Sequence, residues 1–136
     1  MNFSFSGTKT GVINYLHKEE QAGRKVNPAD VAASFQEAVT DVLVHKAMMA
    51  LDVTGYNGLA VAGGVASNSE IRSRLRAACE ARGAAFYVPS PIYCTDNGAM
   101  IAVAAYHKAR EGHYSTLNLD CFPGLNIETQ LYKLEE

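Results

Sequence analysis

The sequence predicts an α/β domain with a mainly parallel sheet flanked by helices. Short apolar runs alternate with segments whose apolar residues recur at spacings of three and four, the mark of strands interleaved with amphipathic helices. Gly, Pro or Asn stands at most points where one type gives way to the other. Length agrees: 136 residues, 48% of them hydrophobic and 19% charged, suffice for one real core and are short for a two-lobed enzyme.

Asn2 to Phe5 reads as a short strand, and Gly7 supplies a turn into a helix over Lys9–Gln21 that carries Val12, Ile13, Tyr15 and Leu16. Residues 22–26 form a solvated connector. Asn27 as N-cap, Pro28 at the first helical position and Asp30 in the first turn announce the next helix. Its Val31, Phe35, Ala38, Val39, Val42 and Leu43 predict a packed face, and the helix is expected to end near Leu51, before Gly55 and Gly58. Leu59–Ala62 is a continuous apolar run closed by Gly63-Gly64, which reads as a strand buried on both faces. A helix over Ser69–Ala81 follows, with Ile71, Leu75 and Ala78 or Cys79 inward and Gly83 past its end. Ala85–Val88 is the third strand, stopped by Pro89 and Pro91, and a last helix runs over Asn97–Glu111 to Gly112. Residues 1–112 are thus expected to form one domain, or a piece of one, with 113–136 as a tail lying over its surface.

Composition excludes several classes. A net charge of −2 leaves no electrostatic footprint for nucleic acid. Cys79, Cys94 and Cys121 are odd in number and form no CxxC pair, which fits a reducing cytoplasm better than a disulfide framework or a zinc knuckle. The longest nearly apolar run, Ala99–Tyr106, falls far below the roughly 20 residues of a membrane span, and the N-terminus has no basic-then-apolar signal pattern. Export and membrane insertion are therefore not expected.

Parallel strands present their carboxyl ends on one edge, so three loops are expected to converge there. In Ser6-Gly7-Thr8-Lys9-Thr10, amides at a helix start with two hydroxyls and a lysine suit a phosphate or carboxylate, although the Walker A spacing is absent and a plain helix cap with an exposed lysine reads as well. In Gly63-Gly64-Val65-Ala66-Ser67-Asn68, the glycines permit either close approach of a ligand to the main chain or a tight capped turn. Asn68 donates and accepts at once, which suits an adenine edge, a ribose or an acyl-amide group. In Cys94-Thr95-Asp96-Asn97-Gly98, Asp96 is a helix cap, a metal ligand or a base; a lone carboxylate makes no metal site, and His17, His45, His107 and His113 form no HxxxH, HxxH or HExxH pair. Cys94 reads as a packed small side chain, with no histidine near it in sequence. Arg72, Arg74, Arg76 and Arg82, interleaved with Glu70 and Glu80, read as a solvated, salt-bridged face.

Phe3–Thr10, Ala32–Val39, Ala62–Asn68 and Cys94–Met100, in this order, closely resemble the C-terminal half of the tRNA threonylcarbamoyladenosine transferase family, formerly labelled glycoprotease or O-sialoglycoprotein endopeptidase. The resemblance covers nearly the whole chain and weakens only in the tail. It implies the second lobe of an actin-like ATPase fold, shared with sugar kinases, heat-shock chaperones and actin, in which two lobes close over a nucleotide-type ligand. It also implies transfer of a threonylcarbamoyl group from its adenylate to the adenosine next to the anticodon of certain tRNAs. By matching position, Asn68, Gly63 and Gly64 face the threonylcarbamoyl-adenylate or ATP, Ser6, Gly7 and Lys9 lie toward its phosphate, and Asp96 is one ligand of an iron or zinc ion that polarises the donor.

The family's HxxxH metal ligands in the first lobe have no counterpart here, Thr8 stands where leucine is usual, and Asn2 where aspartate is common. The resemblance therefore implies a chain inactive alone, with a separate first lobe, tRNA and accessory proteins of the pathway as partners, no membrane, and a tendency to self-associate through surface the first lobe would cover. A non-catalytic nucleotide-binding or protein-interaction module derived from this lobe is the alternative. The metallopeptidase of the older name is weaker, for want of a peptidase zinc motif.

Overall fold

The computed structural model describes residues 2–118 and Gly124. The chain divides into two compact units, Met1–Thr95 and Asp96–Glu136.

The first unit is α/β. Helices α1 (Ser6–Gln21) and α2 (Pro28–Thr54) precede strand β1 (Gly58–Ala60), a 3-10 turn at Gly64–Ser67, helix α3 (Ser69–Arg82), strand β2 (Ala85–Tyr87) and a second 3-10 turn at Pro91–Tyr93. The two strands pair in parallel, with Gly58 opposite Ala85, Leu59 opposite Phe86 and Ala60 opposite Tyr87. The Val61 amide extends the ladder by donating to the Tyr87 carbonyl at 2.9 Å. Parallel pairing of neighbours in sequence requires a crossover, and α3 supplies it.

The starts and stops of α2 and α3 follow from local chemistry. Asn27 Oδ1 accepts from the Ala29 amide at 3.1 Å, satisfying one of the orphan donors at the start of α2, and Pro28 fills the first helical position. Gly55 ends α2 at φ +71°, where its amide closes onto the Leu51 carbonyl, three residues beyond the expected end. Gly83 ends α3 in the same way at φ +74°.

The core forms where α2 and α3 pack together and against the strands. Ile71, Leu75 and Cys79, one turn apart on α3, are buried together with Leu51, Ala66 and Cys94. Burial of each of Leu51, Ile71 and Leu75 contributes about 1.5–3 kcal/mol. Thr40 of α2 is also fully buried, and its Oγ1 has no hydrogen-bond partner among the described residues.

Three expectations are corrected. Asn2–Phe5 is not a strand: among the described residues no neighbour offers it a ladder. Phe3 lies beside Leu43, Ala47 and Val61 around a cavity of about 210 Å³, the Lys46 ammonium sits 4.9 Å from its ring centre, and Lys46 Nζ donates to the Asn2 carbonyl. Leu59–Ala62 is not buried on both faces: Leu59 is half-buried and Ala60 exposed, because β1 has one neighbouring strand among the described residues. Phe35 and Val42 are exposed on α2, where the packed face was expected to bury them; Phe35 lines an open groove against α1.

The second unit contains α4 (Gly98–Arg110). Asn97 caps it, accepting from the Met100 amide at 3.0 Å, and His107, Lys108 and Arg110 complement the negative end of its dipole. Of the expected tail, residues 119–123 and 125–136 lie outside the described residues, and Cys121 with them.

Candidate functional site

The turn joining β1 to α3 holds Gly63, Gly64 and Asn68. Gly63 has φ +87° and ψ 172°, a conformation that L side chains rarely adopt, and a Cβ on either glycine would meet nothing within 4 Å. The main chain is therefore bare toward open space. Ser67 Oγ donates back to the Gly64 carbonyl at 2.6 Å and closes the turn.

Asn68 reads as both a cap and a polar contact, and its geometry serves both. Its Oδ1 accepts from the Ile71 amide at 3.0 Å, capping α3, while its Nδ2 donates to Gln36 Oε1 of α2 at 3.2 Å. An asparagine amide carries two N–H donors, so one Nδ2 hydrogen remains beyond the bond to Gln36. The side chain is thus oriented at both ends before any ligand arrives.

Arg72, one turn along α3, is placed differently from the solvated face expected of it. It forms no ion pair among the described residues; its Nε donates to the Ala66 carbonyl and its Nη2 to the Pro89 carbonyl at 2.7 Å and to Cys94 Sγ at 3.1 Å. The turn after β1 and the segment after β2 therefore meet at one guanidinium. Cys94 is buried as expected, and its Sγ faces the Pro89 and Ser90 carbonyls at 3.9 and 3.7 Å. The salt-bridged face is real at two other arginines. Arg74 joins Glu70, Glu37 and Asp41, tying α3 to α2, and its hydrogen bonds to Glu37 foremost and then Glu70 raise its pKa. Arg82 pairs with Asp52, whereas Arg76 lies over the Phe86 ring at 5.2 Å.

Ser6, Gly7 and Lys9 occupy the first turn of α1, which starts at Ser6 rather than Lys9. No side chain caps this end; Ser6 Oγ pairs with Ser4 Oγ at 3.1 Å, and the Lys9 amide already donates to the Phe5 carbonyl. Asp96 belongs to the second unit, is exposed and precedes the Asn97 cap, so the cap role falls to Asn97. Among the described residues no group of three His, Cys, Asp or Glu side chains is arranged to hold a metal ion. These residues alone therefore do not fit an iron or zinc centre, and any role of Asp96 as a ligand requires ligands beyond them.

A groove of about 610 Å³ lies elsewhere, between α1 and α2, with Val12, Tyr15, Val31 and Phe35 in its lining. Sequence reading missed it because it placed Phe35 in the core. Arg72 was missed for another reason: its helical neighbours are charged, and only the fold decides which arginine turns toward carbonyls.

Comparison with known proteins places the chain as a whole. The family model described as tRNA N6-adenosine threonylcarbamoyltransferase matches residues 1–103. The curated tRNA N6-adenosine threonylcarbamoyltransferase of Desulfitobacterium hafniense is 52% identical over 127 residues, covering 93% of this chain and 37% of the relative. Those of Clostridium perfringens and Clostridium beijerinckii are 46% identical, covering 93% of this chain and 38% of the relatives. The chain thus spans 37–38% of the length of these relatives.

Proposed function

The chain belongs to the tRNA N6-adenosine threonylcarbamoyltransferase family, and from that membership we propose that it forms the second, actin-like lobe of an enzyme moving a threonylcarbamoyl group from its adenylate to the adenosine next to the anticodon. The observation that carries this reading is the Gly63–Asn68 turn: a bare main chain at a left-handed glycine, followed by an asparagine held at both ends with one donor to spare. Such a turn lets the planar base of a nucleoside lie against peptide groups while the amide fixes one of its polar edges.

In this reading Gly63 and Gly64 face the adenosine of the threonylcarbamoyl-adenylate, Asn68 contacts it, and Ser6, Gly7 and Lys9 at the start of α1 attract its phosphate. What these residues contribute is binding and orientation, which lowers the barrier by holding the donor carbonyl in a fixed attitude. Asp96 would be one metal ligand among others beyond the described residues, so no chemical step is assigned to it here. Transfer is proposed to require a first lobe besides these residues, together with tRNA and accessory proteins, in the cytoplasm. No helix among the described residues is long and apolar enough to cross a membrane.

The test is threonylcarbamoylation of tRNA by the chain alone and after addition of a separately expressed first lobe. Activity only with the added lobe, reduced by Asn68→Ala, supports the proposal. Activity of the chain alone overturns the two-lobe requirement. AMP binding that Asn68→Ala leaves unchanged overturns the site, and AMP binding without restored transfer favours the non-catalytic nucleotide-binding module.

A further inference from the structure

We propose that Arg72 is a positioning residue that fixes the Gly63–Asn68 turn to the Pro89–Cys94 segment, so that the loops after both strands present themselves to a nucleotide as one surface. The inference rests on the nucleotide reading of the Gly63–Asn68 turn and goes beyond it by naming what holds that turn in place.

The geometry is that of a guanidinium spent on main-chain carbonyls and a sulfur rather than on carboxylates. Nε reaches Ala66 O inside the first turn, while Nη2 reaches Pro89 O and Cys94 Sγ in the second segment. The acceptors lie 6, 17 and 22 residues away in sequence, so the tie spans two connections rather than stiffening one. Arg72 is half-buried, whereas Ala66 and Cys94 are buried, so water competes poorly for these bonds. The planar fork is what makes this work: its donors diverge at fixed angles, which a lysine ammonium on a flexible stem does not reproduce. Asn68 holds the other end of the turn through Gln36 and Ile71, so the bare glycines lie upstream of two independent anchors.

The segment that Arg72 holds leads directly in sequence into Thr95-Asp96. Arg72 touches no reacting atom in this account; it acts through the peptide groups it fixes.

The experiment compares wild type with Arg72→Lys and with Leu51→Ala, a buried change near the C-terminal end of α2, about four turns along that helix from Gln36, which weakens the fold at a distance from both loops. Hydrogen exchange and AMP affinity are measured on each variant at temperatures where it is fully folded. Arg72→Lys is expected to speed amide exchange in both 64–68 and 90–94 while sparing α2, and to weaken AMP binding about tenfold, equivalent to about 1.4 kcal/mol. Leu51→Ala is expected to lower the melting temperature without moving AMP affinity. Faster exchange in only one segment, or in neither, overturns the tie. Equal losses of AMP affinity in both variants reduce Arg72 to a stability residue and overturn its positioning role. A wild-type chain that binds no AMP overturns the nucleotide reading instead, and hydrogen exchange then decides the tie by itself.

Discussion

Arg72 Nη2 lies 3.1 Å from Cys94 Sγ, so a buried thiol sulfur serves as hydrogen-bond acceptor for a guanidinium from the preceding helix. A buried small side chain with a polar task behaves differently from one that only fills space. Cys94→Ala removes the acceptor and leaves an N–H short of a partner, which should cost about 1–3 kcal/mol. Cys94→Ser keeps an acceptor and should cost less than the alanine change. Urea denaturation of the two variants checks the order; an alanine variant as stable as the serine one would deny the bond any weight.

Thr40 carries the opposite defect. Its hydroxyl is fully buried with no partner among the described residues, and an unpaired hydroxyl in such a place costs on the order of 1–3 kcal/mol. Thr40→Val keeps the branched shape and removes the liability. The variant is expected to be as stable as wild type or up to about 2 kcal/mol more stable. A clear loss in midpoint would mean that the hydroxyl has a partner in solution.

Gly63 and Gly64 separate backbone strain from ligand contact. At Gly63, φ +87° strains any L side chain, so Gly63→Ala should destabilise by about 1–3 kcal/mol. Gly64 has no such φ and open space at its Cβ, so Gly64→Ala should leave the melting temperature unchanged. On the proposed function it should nonetheless weaken AMP binding by crowding the nucleoside. Calorimetric titration of the Gly64 variant reads this directly, and unchanged affinity would remove the main chain at Gly64 from the site.

Cys79 predicts an alkaline limit. Burial raises its thiol pKa above the ordinary value, because the thiolate is poorly solvated inside α3's packed face. Below the unfolded-state pKa both states hold the proton and stability is undiminished. Above it the unfolded chain releases the proton and the folded chain does not, so stability falls as pH rises toward the higher folded value. Cys79→Ala should be less stable than wild type at neutral pH and lose less on further alkalinisation. Melting curves across that range check it, and parallel slopes would exclude Cys79 as the source.

Self-association is expected through the first unit's exposed apolar surface. Tyr87 and Ile92 are 62% and 72% exposed, and β1 and β2 pair only with each other among the described residues. Free strand edges and apolar patches favour pairing between copies. Light scattering over a concentration series should show a rising mean mass, and a constant monomer mass would refute the expectation.

Helix boundaries and the inner face of α3 were legible because their causes are local. Asn27 and Pro28 start α2, Gly55 and Gly83 stop helices by tolerating positive φ, and Ile71, Leu75 and Cys79 recur at the helical period. The Gly63–Asn68 turn was recognisable too, since glycine between a strand and a capped helix tolerates the positive φ that other residues rarely adopt. Asn2–Phe5 misled because its β-forming residues say nothing about whether a neighbouring strand is there to pair with.

The sequence by itself determined which residues can cap, turn and pack, and its motifs placed the chain in its family, because these depend on chemistry within a few positions. Only the tertiary structure decided that Arg72 faces carbonyls while Arg74 faces carboxylates, although Ser73 alone separates them on one helix. Side-chain partners far apart in sequence are set by how α3 lies against α2 and against the segment after β2. No local pattern encodes that placement: it arises from burying Leu51, Ile71, Leu75 and Cys79 together, and the polar side chains then bond to what the packed core leaves within reach.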